Sequence, residues 1–240
     1  MIRFLFLNAF IVIHSIIMCL LGLIVSLFTR DGNLLHRWCA VPWAKIVLMV
    51  CGVTVKVKGA ENVKKDVPLM YISNHQSYFD IFALLAGLPN DFKFLMKQEL
   101  MKIPLLGITM RRAGYFSIDR GDTKSAIESM NVAAEKIRNG TPVLIFPEGT
   151  RSEDGHVKAF KRGAFHMAFK AGCDIVPVAI INSRGIVPKG SLRINKGTID
   201  LNIGKPIPIK DYSKKDIDSL IERVREAVIS QMGESEGTEI

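Results

Sequence analysis

Two short segments of the sequence hold the residue types that acid–base and anion chemistry require. The first is Tyr71-Ile-Ser-Asn-His-Gln-Ser-Tyr-Phe-Asp80, in which four residues separate His75 from Asp80. On a continuous helix five steps turn through about 500°, which puts the two side chains on different faces. Pairing therefore needs a strand-turn-helix junction, with His75 in the turn, Ser77 as the helix cap and Asp80 in the first turn, as the S-x-x-D pattern requires. A carboxylate placed there holds one imidazole nitrogen and leaves the other as a base, which is the His–Asp part of a triad without its serine. The blander alternative is a helix-capping Asp beside a hydrogen-bonded turn His.

The second segment is Phe146-Pro-Glu-Gly-Thr-Arg-Ser152, which follows an apolar run. Backbone amides around Gly149 together with the Arg151 guanidinium make an oxyanion or phosphate cradle, whereas the segment taken alone is a turn with an exposed arginine. Between the two segments lies Gly114-Tyr-Phe-Ser-Ile-Asp-Arg120, and Lys97 ends the apolar run before it. Each cation alone reads as solvated surface. Together Lys97, Arg120 and Arg151 fall at strand ends on one edge, which suits a phosphorylated substrate. The string G-x-S-x-G occurs at Gly233 to Gly237, in the acidic tail and not at a strand-to-helix turn, and the sequence has no G-x-x-x-x-G-K-[ST] loop, no G-x-G-x-x-G turn and no H-E-x-x-H helix, while His14, His36, His156 and His166 stand at no ligand spacing. A base without its own nucleophile points to a substrate that supplies the attacking hydroxyl.

These loops need a scaffold, and the chain alternates in a way that provides one. Val53, Val55 and Val57 alternate with Thr54, Lys56 and Lys58 as a half-buried strand does. Apolar runs at Leu69 to Ile72, Phe92 to Met96, Tyr115 to Ile118, Val143 to Phe146 and Ile175 to Ile181 have strand length, with helical stretches between several of them. The clearest helix is Thr123 to Asn139, where Ala126, Met130, Ala133 and Ile137 form a stripe and Gly140 stops it. Leu192 to Ile194 and Ile199 to Ile203 read as short strands near a sheet edge, before Ser213 and Asp216 cap a last helix, Ile217 to Met232. The expected fold is α/β, a mainly parallel mixed sheet flanked by helices.

Ahead of this domain no charge occurs from Phe4 to Phe28, a run of 25 residues. As a helix it measures roughly 37 Å against a hydrocarbon core of about 30 Å. A second apolar segment, Trp38 to Val55, is interrupted by Pro42 and Lys45, and its tryptophans suit the headgroup layer. Residues 1–52 are expected to form a membrane-associated helical hairpin, residues 53–232 the catalytic domain and residues 233–240 a flexible acidic tail. A full span by the first helix, and a hairpin buried on the main domain, are the alternatives. Mean hydropathy of +0.22 and a net charge of +9 favour membrane contact and anionic partners. The scattered Cys19, Cys39, Cys51 and Cys173 show no metal, redox or disulfide spacing.

The segments resemble, in order, four motifs of the membrane-bound glycerolipid acyltransferase family, whose 1-acyl-sn-glycerol-3-phosphate acyltransferases the chain looks most like. They are Asn74-His75-x4-Asp80, Gly114 to Arg120, Phe146 to Arg151, and Ile175-Val-Pro-Val-Ala179. Ser117 stands where Phe is common. The resemblance implies that His75 deprotonates an acceptor hydroxyl and that Asp80 orients and stabilises the imidazole, so that the oxygen attacks an acyl thioester directly, with no acyl-enzyme. It implies that Arg120 and Arg151, with Lys97, bind the acceptor phosphate while Glu148, Gly149 and Thr150 form the acceptor loop. Lysophosphatidic acid is the expected acceptor, acyl-CoA or acyl carrier protein the donor and phosphatidic acid the product. No metal, cofactor or nucleic acid is expected. The catalytic domain would face the cytoplasm on an anionic membrane, the inner membrane if the source is bacterial. Glycerol 3-phosphate or another lysolipid as acceptor, and a non-catalytic membrane-binding relict, are the competing readings.

Overall fold

The computed structural model describes residues 1–64, 67–118 and 123–233. Two helices come first, α1 (Ile2–Phe28) and α2 (Gly32–Cys51). Strands β1 (Val53–Lys58), β2 (Leu69–Ser73), β3 (Lys93–Lys97), β4 (Phe116–Ile118), β5 (Val143–Ile145), β6 (Asp174–Ile181) and β7 (Gly197–Ile203) follow. Among them lie helices α3 (Phe79–Gly87), α4 (Leu106–Arg112), α5 (Thr123–Arg138), α6 (Arg162–Ala171) and α7 (Ile217–Gly233). The α/β fold read from the sequence is the observed one: a seven-stranded mixed sheet in the order β1-β7-β6-β2-β5-β3-β4. β6, β2, β5, β3 and β4 run parallel, while β7 is antiparallel to β6 and carries β1 parallel to itself at the edge.

The central strands are apolar on both sides because helices cover both faces of the sheet. Tyr71, Leu144, Val176 and Val178 pack against α2 and α3, whereas Met70, Ile72, Val143 and Ile175 pack against α5, α6 and α7. In α5 the buried Ala133, Ala134 and Ile137 are the stripe that faces this second layer. Ser213 and Asp216 form the expected capping box, on a short 3₁₀ turn that leads into α7.

One expected strand is absent. Leu192 to Ile194 is irregular, because its carbonyls serve side chains of α1 instead of a neighbouring strand. Asn8 Nδ2 donates to Leu192 O at 3.1 Å and Arg3 Nη1 to Ile194 O at 2.8 Å.

The N-terminal helices are both long and apolar enough to cross a membrane, and they differ in burial. In the most apolar stretch of α1 17% of residues are buried, against 39% in α2. Trp43 Nε1 ties α2 to Ser15 Oγ of α1 at 2.9 Å, and Thr109 Oγ1 of α4 reaches Cys19 O of α1. The turn between them also docks on the domain: Lys93 Nζ donates to Gly32 O at 2.9 Å, and the His36 and Tyr115 side chains meet at 3.0 Å. Gly32 is required there, since a Cβ would lie 2.6 Å from Ala113 O. All four cysteines are buried thiols.

Candidate active site

β2 and β5 are parallel neighbours, with Ile72 opposite Ile145. The chain leaves β2 through α3, on the face covered by α2, and leaves β5 through α6, on the other face. Neighbouring strands whose connections depart to opposite faces open a crevice at their carboxyl ends. Both chemistry-bearing segments start there, the His75 loop one residue after Ser73-Asn74 and the Phe146 loop directly after Ile145.

Asp80, the second residue of α3, is fully buried. One carboxylate oxygen, Oδ2, accepts His75 Nδ1 at 2.7 Å, the Gln76 amide at 2.7 Å and the Ser77 amide at 2.9 Å. The loop thus wraps its own amides around the carboxylate, and His75 is presented with Nδ1 occupied and Nε2 left over. Ser77 supports the junction by accepting the Phe79 amide and donating to Val187 O. Phe146 from the second loop stacks flat on the imidazole, with centroids 4.0 Å apart and planes at 13°. The ring is held at its Nδ1 edge and on one face, and its side chain keeps 18% exposure.

Glu148 joins the two loops. Its Oε1 accepts the His75 amide at 2.8 Å and its Oε2 the Lys158 amide at 3.0 Å, and the Ser152 amide donates to His75 O at 2.7 Å. Burial pushes the Glu148 carboxyl above the usual range, and the two amides work against that rise. Gly149 has φ +77° and its amide donates to Phe146 O. That amide closes the turn that carries the loop from Phe146 to Arg151. Thr150 is exposed.

The Arg151 guanidinium lies 3.7 Å from the centroid of the Tyr78 ring, so it bridges from the second loop to the first. Its Nη1 is buried without a partner among the described residues, and a donor in that condition is poised for an anion. Lys158 Nζ and Lys189 Nζ both donate to Arg151 O, at 3.3 and 3.2 Å. Lys97 stands at the end of β3, where its ammonium pairs with exposed Glu99 at 2.7 Å. The structure does not bring it into contact with Arg151. Arg120 lies outside the described residues.

Three contributors escaped the sequence reading. Asn74 locks the end of β2 to β6 through a pair of bonds with the Ile180 backbone, at 2.8 and 2.7 Å. Phe146 and Tyr78, quoted in the motifs without a role, carry the ring contacts. Only the presence of Asn and aromatic residues at turn positions could have drawn attention to them.

The family model described as Acyltransferase matches residues 54–181, more than half of the chain. The protein belongs to the acyltransferase family. Within it, the chain is 36% identical over 210 residues to the chloroplastic 1-acyl-sn-glycerol-3-phosphate acyltransferase BAT2 of Brassica napus, covering 87% of this chain and 59% of that one. It is 33% identical over 180 residues to 1-acyl-sn-glycerol-3-phosphate acyltransferase alpha of Homo sapiens, covering 75% and 64%. The matched part thus spans less than two thirds of these relatives. The solved structure of the 1-acyl-sn-glycerophosphate acyltransferase of Thermotoga maritima is similar over 97% of both chains, with a TM-score of 0.81 and 28% identity. That similarity takes in both N-terminal helices of this acyltransferase-family chain as well as the sheet.

Proposed function

We propose that the protein transfers a fatty acyl group from an acyl thioester to the sn-2 hydroxyl of 1-acyl-glycerol 3-phosphate, giving phosphatidic acid. The observation that carries this reading is the His75–Asp80 pair at 2.7 Å, held beside a loop whose Arg151 has a buried donor with no partner among the described residues. Nε2 takes the hydroxyl proton as the oxygen attacks the thioester carbon, and Asp80 stabilises the imidazolium that forms. The C–S bond then breaks, and the proton passes from His75 to the departing thiolate. Arg151 holds the acceptor phosphate, stiffened by its stacking on Tyr78. Arg120 and Lys97 are assigned to the same phosphate on the strength of the motif pattern in the sequence.

An apolar cavity between the N-terminal helices and the sheet supports the lipid part of this reading. It is lined by Met18 and Cys19 of α1, Trp43 of α2, Ile81 and Leu85 of α3, and Phe94 and Met96 of β3. Phe94 lies 6.3 Å from Phe146, whose ring covers His75, so an acyl chain placed there ends beside the base. The exposed apolar surface of α1 and the basic residues around the hairpin support a catalytic domain that lies on an anionic, cytoplasmic membrane face.

Purified protein given labelled acyl donor and a panel of glycerol 3-phosphate, lysophosphatidate and other lysolipids tests the assignment. Transfer to lysophosphatidate in preference to the rest is expected. Preferred transfer to another acceptor would replace the substrate, and transfer to none would point to a relict site.

A further inference from the structure

A second, polar cleft of about 930 Å³ borders the catalytic loop and has no part in the mechanism above. Gln76, His156, Asn182, Arg184, Arg225 and Ile229 are among its lining residues. Gln76 is the immediate neighbour of His75, and its side chain closes one wall by donating to Gly155 O at 2.8 Å. Arg225 and Ile229 belong to α7, the layer opposite α1, α2 and the apolar cavity. The loop of His75 thus borders the polar space through Gln76, while Phe146, which covers the imidazole, lies beside Phe94 of the apolar one.

Arg184, Arg225 and His156 line the cleft, and no carboxylate does among the described residues. Arg225 is already paired with Glu222 at 3.1 Å, so Arg184 is the cation offered to the cleft among the described residues. Glu153 could have neutralised Arg184, but its carboxylate takes Lys189 Nζ at 2.6 Å and only its carbonyl meets Arg184 Nε, at 2.9 Å. Nε is the only part of that guanidinium bonded among the described residues, which leaves its terminal amino groups for a ligand.

Acyl transfer needs room for three pieces around His75: the acceptor with its phosphate, the acyl chain and the thiol that leaves. Arg151 takes the first and the apolar cavity the second. We infer that the polar cleft takes the third, the phosphate-bearing pantetheine arm of the acyl donor, with Arg184 and His156 at its phosphate. This rests on the acyl-transfer reading. The C–O ester bond forms as the C–S bond breaks next to Gln76. The arm leaves through the cleft as the thiol, carrying the proton that His75 took from the acceptor hydroxyl. Coenzyme A and acyl carrier protein share this arm, and the cleft recognises the shared part.

The test measures steady-state kinetics with three donors: acyl-CoA, acyl carrier protein and acyl-pantetheine without phosphate. Two variants of exposed residues are compared with wild type, Arg184→Gln, which removes the charge, and Ile229→Trp, which fills the cleft. Arg184→Gln is expected to raise the KM of phosphorylated donors about tenfold, as loss of one charge-assisted contact does. It should leave acyl-pantetheine and the lysophosphatidate KM unchanged. Ile229→Trp should raise the KM of every donor used, and the phosphorylated donor that wild type accepts identifies the source of the arm. Unchanged donor KM values in both variants, or a rise in the acceptor KM instead, would overturn the cleft assignment while wild-type transfer keeps the function standing. Absence of transfer by wild type would overturn both.

Discussion

At the scale of single residues, the site depends on how few groups do several jobs. Oδ2 of Asp80 accepts three donors, so the same atom folds the loop and fixes the imidazole. Replacing it by Asn would disturb both, which makes Asp80 a poor probe of chemistry alone. Arg151 is the better probe of binding, because stacking on Tyr78 places its guanidinium with few other duties. Arg151→Ala is expected to raise the KM for lysophosphatidate by at least tenfold and leave the donor KM nearly unchanged, since one charge-assisted phosphate contact has about that worth. Arg151→Lys should rescue only in part, because an ammonium cannot present a planar fork. Equal rises in both KM values would mean a loosened fold and not a lost phosphate contact. The His75–Asp80 pairing was legible in the sequence because it is local and the capping pattern fixes its geometry. The brace from Glu148 to the His75 amide was not, because it joins residues 73 positions apart that only the adjacency of β2 and β5 brings together.

At the scale of elements, most strands follow from apolar runs, and the failures have a local physical cause. Leu192 to Ile194 has strand-like composition, yet α1 claims its carbonyls. Composition does not reveal which partner a carbonyl will find. β3 opens with the opposite surprise: Lys93 is buried, and its ammonium is spent on the carbonyl of Gly32 in the hairpin turn. Burial lowers its pKa to about 8. In the unfolded chain the amine titrates near 10.4, so between those values the unfolded state binds more protons and stability rises with pH. Lys93→Met removes the desolvated charge and should be more stable than wild type at pH 7. That lead should shrink as pH goes from about 8 to 10.5, read as the difference between the two denaturant midpoints at pH 7 and pH 10 in detergent. A difference that stays constant with pH would show that Lys93 titrates normally.

At the scale of the whole molecule, the N-terminal helices and the sheet form one arrangement. Arg3 at the start of α1 is bonded to Ile194 and Cys51, and the turn after its end is bonded to Lys93. A helix with both ends tied to the same domain lies along it, which supports the hairpin reading in which α1 enters one leaflet obliquely. In that reading its exposed Phe6, Ile13, Ile17, Leu21 and Ile24 form the lipid-facing surface and Arg30 and Lys45 would meet the headgroups, while Arg37 pairs with Asp91. The sequence showed that these helices are apolar enough for a membrane. How they are held could not be read, because the tethers join residues such as Arg3 and Ile194 that are distant in the chain. Ile2→Cys in an otherwise cysteine-free protein, treated on intact cells with a membrane-impermeant thiol reagent, should label only after permeabilisation. Labelling from outside would establish a full span and discard the hairpin.

The central claim is that the His75–Asp80 pair activates the acceptor hydroxyl for direct transfer, and one comparison tests it. Acyl transfer from thioester to lysophosphatidate is measured for wild type and for His75→Ala, with circular dichroism showing that both are folded. His75 is a loop residue that contributes more to chemistry than to packing, so the variant should fold normally and lose about 10² to 10⁴-fold in rate, the usual contribution of a general base. A folded His75→Ala protein that transfers acyl groups at a rate near wild type would contradict the mechanism.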